Sequence, residues 1–312
     1  MTLAFYSHAD CRAHFMGRGH PECPERLDAI SDHLIATGLI DALDLRDPPL
    51  ADEAQLARAH ATAHVRELRA AMEPLRQSGE HCQIDPDTSA GPGSWQAALR
   101  AAGAAVAATD AVIDGSANTA FCAVRPPGHH ATRDAAMGFC FFNNVAVAAR
   151  HALDVRGLQR VAVIDFDVHH GNGTEDIVAG DERILMASFF QHPLYPYSGA
   201  VPKGTNMVNV PIPPYARGPQ VREAIEQMWL PRLEAFKPQM IFVSAGFDAH
   251  REDELGQLGL VEEDYAWITR QLVALAGRHA EGRIVSCLEG GYHLGALARS
   301  VAAHLRVLGG LD

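Results

Sequence analysis

Residues 161–173 read VAVIDFDVHHGNG, and this stretch constrains the chain more than any other. Four apolar residues lead into Asp165, Asp167, His169 and His170, and a Gly-Asn-Gly turn follows. A short apolar run bounded by turn signals has the pattern of a strand buried in a parallel sheet. Ligands of open α/β sheets collect at the carboxyl ends of such strands. Side chains two apart on an extended segment point the same way. Asp167 and His169 are therefore placed to share one metal ion, with Asp165 close behind on the same side. The competing reading is a polar strand end whose histidine is simply hydrogen-bonded.

The rest of the chain alternates in the same style. Strand patterns fall at 3–7, 119–124, 161–165, 184–188, 207–210, 240–245 and 283–288. Helical patterns fall at 25–37, 61–77, 94–114, 143–153, 221–236, 262–278 and 294–308, with Pro74 weakening the second. Such alternation predicts an α/β fold: a central, mostly parallel sheet of about eight strands with helices on both faces. The Ala-rich helix at 94–114 reads as close-packed core. With no repeat, linker or low-complexity tract, residues 1–312 read as one domain. Residues 85–93 read as a loop, and the Pro/Gly/Tyr-rich segments 195–203 and 211–219 as long functional rims.

Composition narrows the function. The formal charge of −12 lacks the basic footprint of a nucleic-acid binder. It suits a cationic substrate, or plain solubility. Six scattered cysteines with no CxxC read as reduced thiols of a cytoplasmic protein. The first residues lack a secretory signal pattern, and no apolar run is long enough to span a bilayer, so no membrane partner is expected.

A catalytic zinc takes three protein ligands and keeps one position open. The strand at 240–245 is followed at once by Gly246-Phe247-Asp248, which makes Asp248 the candidate third ligand, with a helix N-cap as its alternative role. The run Arg125-Pro126-Pro127-Gly128-His129-His130 presents two imidazoles at another strand end. They are candidates for further metal ligands or for the acid–base pair that metal-assisted hydrolysis needs. Asp165 can orient one imidazole and the neutral Asn172 the other, more weakly. In Leu288-Glu289-Gly290-Gly291-Tyr292 the glycines allow close backbone approach to a ligand. Tyr292 can aim its hydroxyl at an oxyanion, or be a rim aromatic.

HPECPERL (20–27), RPPGHH (125–130), GFCFFNN (138–144), DFDVHHGNG (165–173), SAGFDAH (244–250) and LEGGY (288–292) occur together and in this order. The set resembles the histone deacetylase family of the arginase/deacetylase superfamily. The resemblance implies one zinc on Asp167, His169 and Asp248, and hydrolysis of an acylated amine such as acetyl-lysine or an acetylpolyamine. It implies His130 as general base and then acid, His129 with Asp165 supporting the water, and Tyr292 donating to the oxyanion. Gly138, Phe139, Tyr195, Leu255 and Gly290 would contact substrate, and Arg26 would face an acetate exit channel. A structural potassium would sit near Asp165, Asp167, His169, Ser188 and Phe189. Asn172 stands where one branch of the family has Asp, as in the class II branch and the bacterial amidohydrolases. Leu255 stands where the polyamine-selective member has an acidic gatekeeper, with Glu254 adjacent. Asp85 or Asp87 would be a substrate clamp. A homo-oligomer is compatible with the resemblance. The competing functions are a two-manganese ureohydrolase, which needs carboxylates where this chain has Gly171 and His250, and a non-catalytic acyl-lysine binder.

Overall fold

The computed structural model describes residues 2–311. Among them are ten strands: β1 (Leu3–Tyr6), β2 (Asp44–Arg46), β3 (Cys82–Asp85), β4 (Thr88–Ala90), β5 (Thr119–Cys122), β6 (Val161–Asp165), β7 (Ile184–Gln191), β8 (Met207–Ile212), β9 (Ile241–Ala245) and β10 (Ile284–Leu288). Eight form one sheet in the order β2-β1-β5-β10-β9-β6-β7-β8, and every neighbouring pair is parallel. The pattern of apolar runs thus led to the right architecture: one α/β domain with a parallel sheet flanked by helices.

The helices cover both faces because strand side chains alternate. Phe5 stacks on Phe121, whose ring meets His304 of the helix Leu294–Gly309. The next residue, Tyr6, points the other way, and its hydroxyl donates to the Ala107 carbonyl in the helix Ser94–Ile113. That Ala-rich helix is buried along most of its length, as its small side chains allow. Strands β6, β9 and β10 are buried at every position. Their apolar runs show no alternation because both faces lie under helices.

The structure departs from the sequence expectations where short polar segments gain order from contacts. The strand β2 is a three-residue edge, paired to β1, whose Asp-Leu-Arg sequence is too short to show a strand pattern. Residues 82–90 form the β3–β4 hairpin instead of a loop. The Gly-Asn-Gly turn opens a helix, Asn172–Val178. The helix at 61–77 is split at Pro74 into Thr62–Met72 and Leu75–Ser78, since proline cannot continue the hydrogen-bond ladder. The expected rim at 211–219 is partly strand: β8 continues through Pro211, which an edge strand tolerates.

Candidate functional site

Consecutive strands β5 and β6 lie three positions apart, with β10 and β9 filling the gap. The carboxyl ends of these four neighbours therefore converge, and each brings one of the chemical motifs. The turn after β6 supplies Asp167 and His169; the loop after β9 supplies Asp248. One ligand atom from each of the three lies within 4.8 Å of the others. His169 Nδ1 stands 3.0 Å from Asp167 Oδ1 and 3.2 Å from Asp248 Oδ2.

The cluster fits a cation on several grounds. Asp167 Oδ2 accepts from the Gly290 N–H at 2.8 Å and Asp248 Oδ1 from the Val168 N–H at 2.9 Å. Asp248 Oδ2, however, is buried with no hydrogen-bond partner, and buried polar atoms rarely lack one. Burial and then the Asp167 charge push the Asp248 carboxyl up to about 7. Burial opposes protonation of His169, yet the neighbouring Asp167 and Asp248 carboxylates push it up to about 10. These groups favour positive charge at the point they surround. Two oxygens and one nitrogen are an ordinary donor set for zinc in a site that keeps an open position.

The two imidazoles after β5 are buried beside this cluster, with ring centroids 4.0 Å apart. His129 Nδ1 meets Asp165 Oδ2 at 3.0 Å, and its Nε2 is 3.8 Å from Asp167 Oδ2. His130 Nδ1 meets Asn172 Oδ1 at 2.7 Å, while the Asn172 amide donates to Met137 Sδ at 3.3 Å. That second bond fixes which end of the amide faces His130, so Nδ1 carries the proton and Nε2 keeps its lone pair. The two rings diverge electrostatically. Burial, then His129 and His169, hold His130 well below the usual imidazole range. For His129 burial acts the same way, but Asp167 and Asp165 outweigh it and hold the ring well above that range.

A cavity of about 270 Å³ opens onto His130 and His169. Gly138, Phe139, Leu194, Tyr195, Leu255, Tyr292 and Asp87 complete its lining. Phe139 is held at a φ of 69°, and a Cβ on Gly138 would lie 2.4 Å from the His130 ring. The β3–β4 hairpin secures this bend: Asp87 Oδ1 accepts from the Gly138 N–H and Thr88 Oγ1 from the Phe139 N–H. Tyr195 stands edge-on to His130, centroids 5.2 Å apart. Burial and then Asp87 push its phenol up.

Several expected site residues lie elsewhere. Gly290 does not line the cavity; it backs the carboxylates of Asp167 and Asp248, and a Cβ there would sit 2.0 Å from Asp248 Oδ2. Arg26 also stands outside the lining, fully buried behind Tyr292 with its guanidinium 4.9 Å from that ring. It donates to the carbonyls of Gly291 and Glu289 at 2.7 and 2.5 Å, and Glu22 holds both Arg26 and Arg125. Of the two hairpin carboxylates, Asp87 lines the cavity and Asp85 does not. Leu255 is on the wall, whereas Glu254 lines a separate hollow beside it. Ser188 is the cross-strand partner of Asp165, and Phe189 is fully buried next to it.

Sequence reasoning missed three residues. Leu194 had only a loop composition to mark it. Glu289 lay inside a quoted motif, yet its role shows only in space: its carboxylate accepts from the N–H groups of Gly128 and His129 and from Ser244 Oγ. Asp253 binds the backbone of Tyr292, and nothing in its spacing announces that.

A parallel α/β sheet with an Asp-His-Asp cluster and a paired-histidine cavity at its carboxyl edge defines the deacetylase class of this architecture. The chain matches the histone deacetylase domain over residues 20–308 and belongs to the histone deacetylase family. It is 40% identical over 281 residues to a histone deacetylase-like amidohydrolase of Pseudomonas aeruginosa, covering 88% of this chain and 73% of that protein. It is 37% identical over 306 residues to the polyamine deacetylase HDAC10 of Mus musculus, covering 92% of this chain and 44% of that protein. The crystal structure of the HDA15 HD domain is similar with a TM-score of 0.90 at 31% identity, over 99% of this chain and 90% of that one.

Proposed function

We propose that the chain is a zinc-dependent amidohydrolase that removes an acyl group, acetyl in the reference case, from an N-acylated amine such as acetyl-lysine. One observation carries the reading: His130 and His169, the latter a member of the Asp167–His169–Asp248 cluster, line the same apolar-walled cavity. Asp167, His169 and Asp248 would hold one zinc, which when bound polarises the acyl carbonyl and acidifies a water. The protein groups do the rest. Phe139 and Tyr195 face the acyl-amine arm from two sides. His130, held neutral, takes the proton of the attacking water at Nε2 and passes it to the departing amine. His129, charged and anchored to Asp165, steadies the negative charge that develops on that water. The Tyr292 hydroxyl donates to the oxyanion at the acyl carbon. A potassium ion held near Asp165, Asp167, His169, Ser188 and Phe189 would brace the strand ends from behind. Six free cysteines fit a cytoplasmic setting.

An acetylpolyamine is the second reading for the substrate, favoured by the likeness to the mouse polyamine deacetylase. The apolar Leu255 on the wall argues against it. A two-manganese ureohydrolase lacks support, because Gly171 and His250 supply no carboxylate.

The test compares turnover of an acetyl-lysine peptide and acetylated polyamines by wild type and Tyr292→Phe, with metal content measured alongside. We expect one metal equivalent per chain, preference for the peptide, and a fall of about 10²- to 10³-fold in the mutant. Two metal equivalents, or a mutant as fast as wild type, would overturn the reading.

A further inference from the structure

We propose that Asp253 is a positioning residue whose one carboxylate sets both the Tyr292 phenol and the Leu255 wall. The proposal rests on the acyl-amine reading above. Asp253 lies in the loop that follows β9 and is 6% exposed. Its Oδ2 accepts from the N–H groups of Tyr292 and His293 at 2.6 and 3.0 Å. Its Oδ1 accepts from the Leu255 N–H at 3.0 Å. Among the described residues no Lys, Arg or His pairs with it, so backbone amides carry its charge. Charge-assisted bonds of this kind are short and directional.

The three amides belong to the loops that leave β9 and β10, and those loops form two walls of the cavity. Tyr292 enters its loop straight after Gly291, whose φ of 115° turns the chain sharply. The helix Leu294–Gly309 starts only after His293, so the Tyr292 N–H has no helical acceptor and depends on Asp253. The Tyr292 ring is held from its other side by the Arg26 guanidinium. Backbone and ring are thus gripped separately, and the phenol direction follows from both.

An asparagine at 253 offers one acceptor oxygen and places an NH₂ against the amides that need the other. Asp253→Asn therefore breaks the tie between the two loops, and Tyr292 loses its fixed anchor even where the remaining oxygen still faces its N–H. Misplacing a reacting group by a fraction of an ångström costs rate more than binding. We expect kcat to fall about 10- to 100-fold with KM within about twofold. In a Tyr292→Phe background the same change should cost nothing further in kcat, because the hydroxyl it aims is gone. Losses that multiply in the double variant would overturn the proposal, as would a Asp253→Asn protein with wild-type kcat. A 3-fluorotyrosine at position 292 reads ring placement without turnover: an unchanged ¹⁹F signal in Asp253→Asn also overturns it. A shifted signal in a chain whose wild type hydrolyses no acyl-amine overturns the functional reading alone. Should Asp253→Asn fail to fold, Asp253→Glu, with both oxygens on a longer arm, must show the same non-additivity with a smaller loss.

Discussion

Gly290 carries no side chain because two carboxylates stand where one would go. A Cβ there would lie 2.0 Å from Asp248 Oδ2 and 2.6 Å from Asp167 Oδ2, distances that real contacts do not reach. Its N–H meanwhile orients Asp167 at 2.8 Å. Residues that orient ligands typically govern metal affinity by about 10- to 100-fold. Gly290→Ala should therefore weaken zinc by that order in a chelator competition while leaving the sheet intact by circular dichroism. Wild-type affinity in that variant would mean that Asp167 and Asp248 are not ligands. A GG pair before a tyrosine hinted at close approach; only the fold reveals that the carboxylates of Asp167 and Asp248 are what the backbone approaches.

Among the structural elements, the entry to β7 depends on one side chain. The Asn206 Nδ2 donates toward the carbonyls of Val178, Ile184 and Asp181 at 2.9, 2.9 and 3.2 Å, and its Oδ1 accepts from the Gly180 N–H at 3.0 Å. The amide thereby ties the end of the helix Asn172–Val178 to the start of β7 and to the residue before β8. Removing it takes hydrogen bonds from the Val178 and Ile184 carbonyls, at about 1–3 kcal/mol for each group that is left unpaired where water cannot reach. Asn206→Ala should lower stability by about 2–4 kcal/mol in urea unfolding. A loss below about 0.5 kcal/mol would show that solvent replaces the amide. Asn172 begins that same helix and orients His130, so the helix that a turn motif concealed is part of the site's frame.

At the scale of the whole molecule, the core commits some histidines to the neutral state. His304 joins the helix Leu294–Gly309 to Thr269 at 2.7 Å and to Ser286 on β10 at 3.0 Å, and burial pushes its pKa down to about 3. Burial, then His64, does the same to His60, also to about 3. In the unfolded chain each ring takes a proton near its ordinary value of 6.5. The unfolded state thus binds more protons between pH 6.5 and 3, so the contribution is whole above 6.5 and is lost as pH falls. At pH 5 each ring costs about 2 kcal/mol of stability. His304→Gln should flatten the fall in unfolding free energy between pH 6.5 and 5 relative to wild type. An equal slope in both proteins would place the acid sensitivity elsewhere.

Periodicity and local chemistry settled the class of this protein before any contact was known. Apolar runs without alternation demand burial on both faces, which only a helix-covered parallel sheet supplies. Carboxylates and imidazoles at such strand ends have to meet where ligands bind. Asp167, His169, Asp248, His129, His130 and Tyr292 were legible for that reason, and the family motifs added the cavity walls. What local sequence could not express was which strand lies beside which. The order β5-β10-β9-β6 sets β5 beside β10, more than a hundred residues later in the chain. That order decides that Asp253 holds Tyr292 and that Glu289 holds the His129 backbone, while the β3–β4 hairpin brings Asp87 to the cavity and the helix Glu25–Ala36 sets Arg26 behind the phenol. Each depends on a backbone or side-chain partner distant along the chain, and spacing carries no record of such a partner.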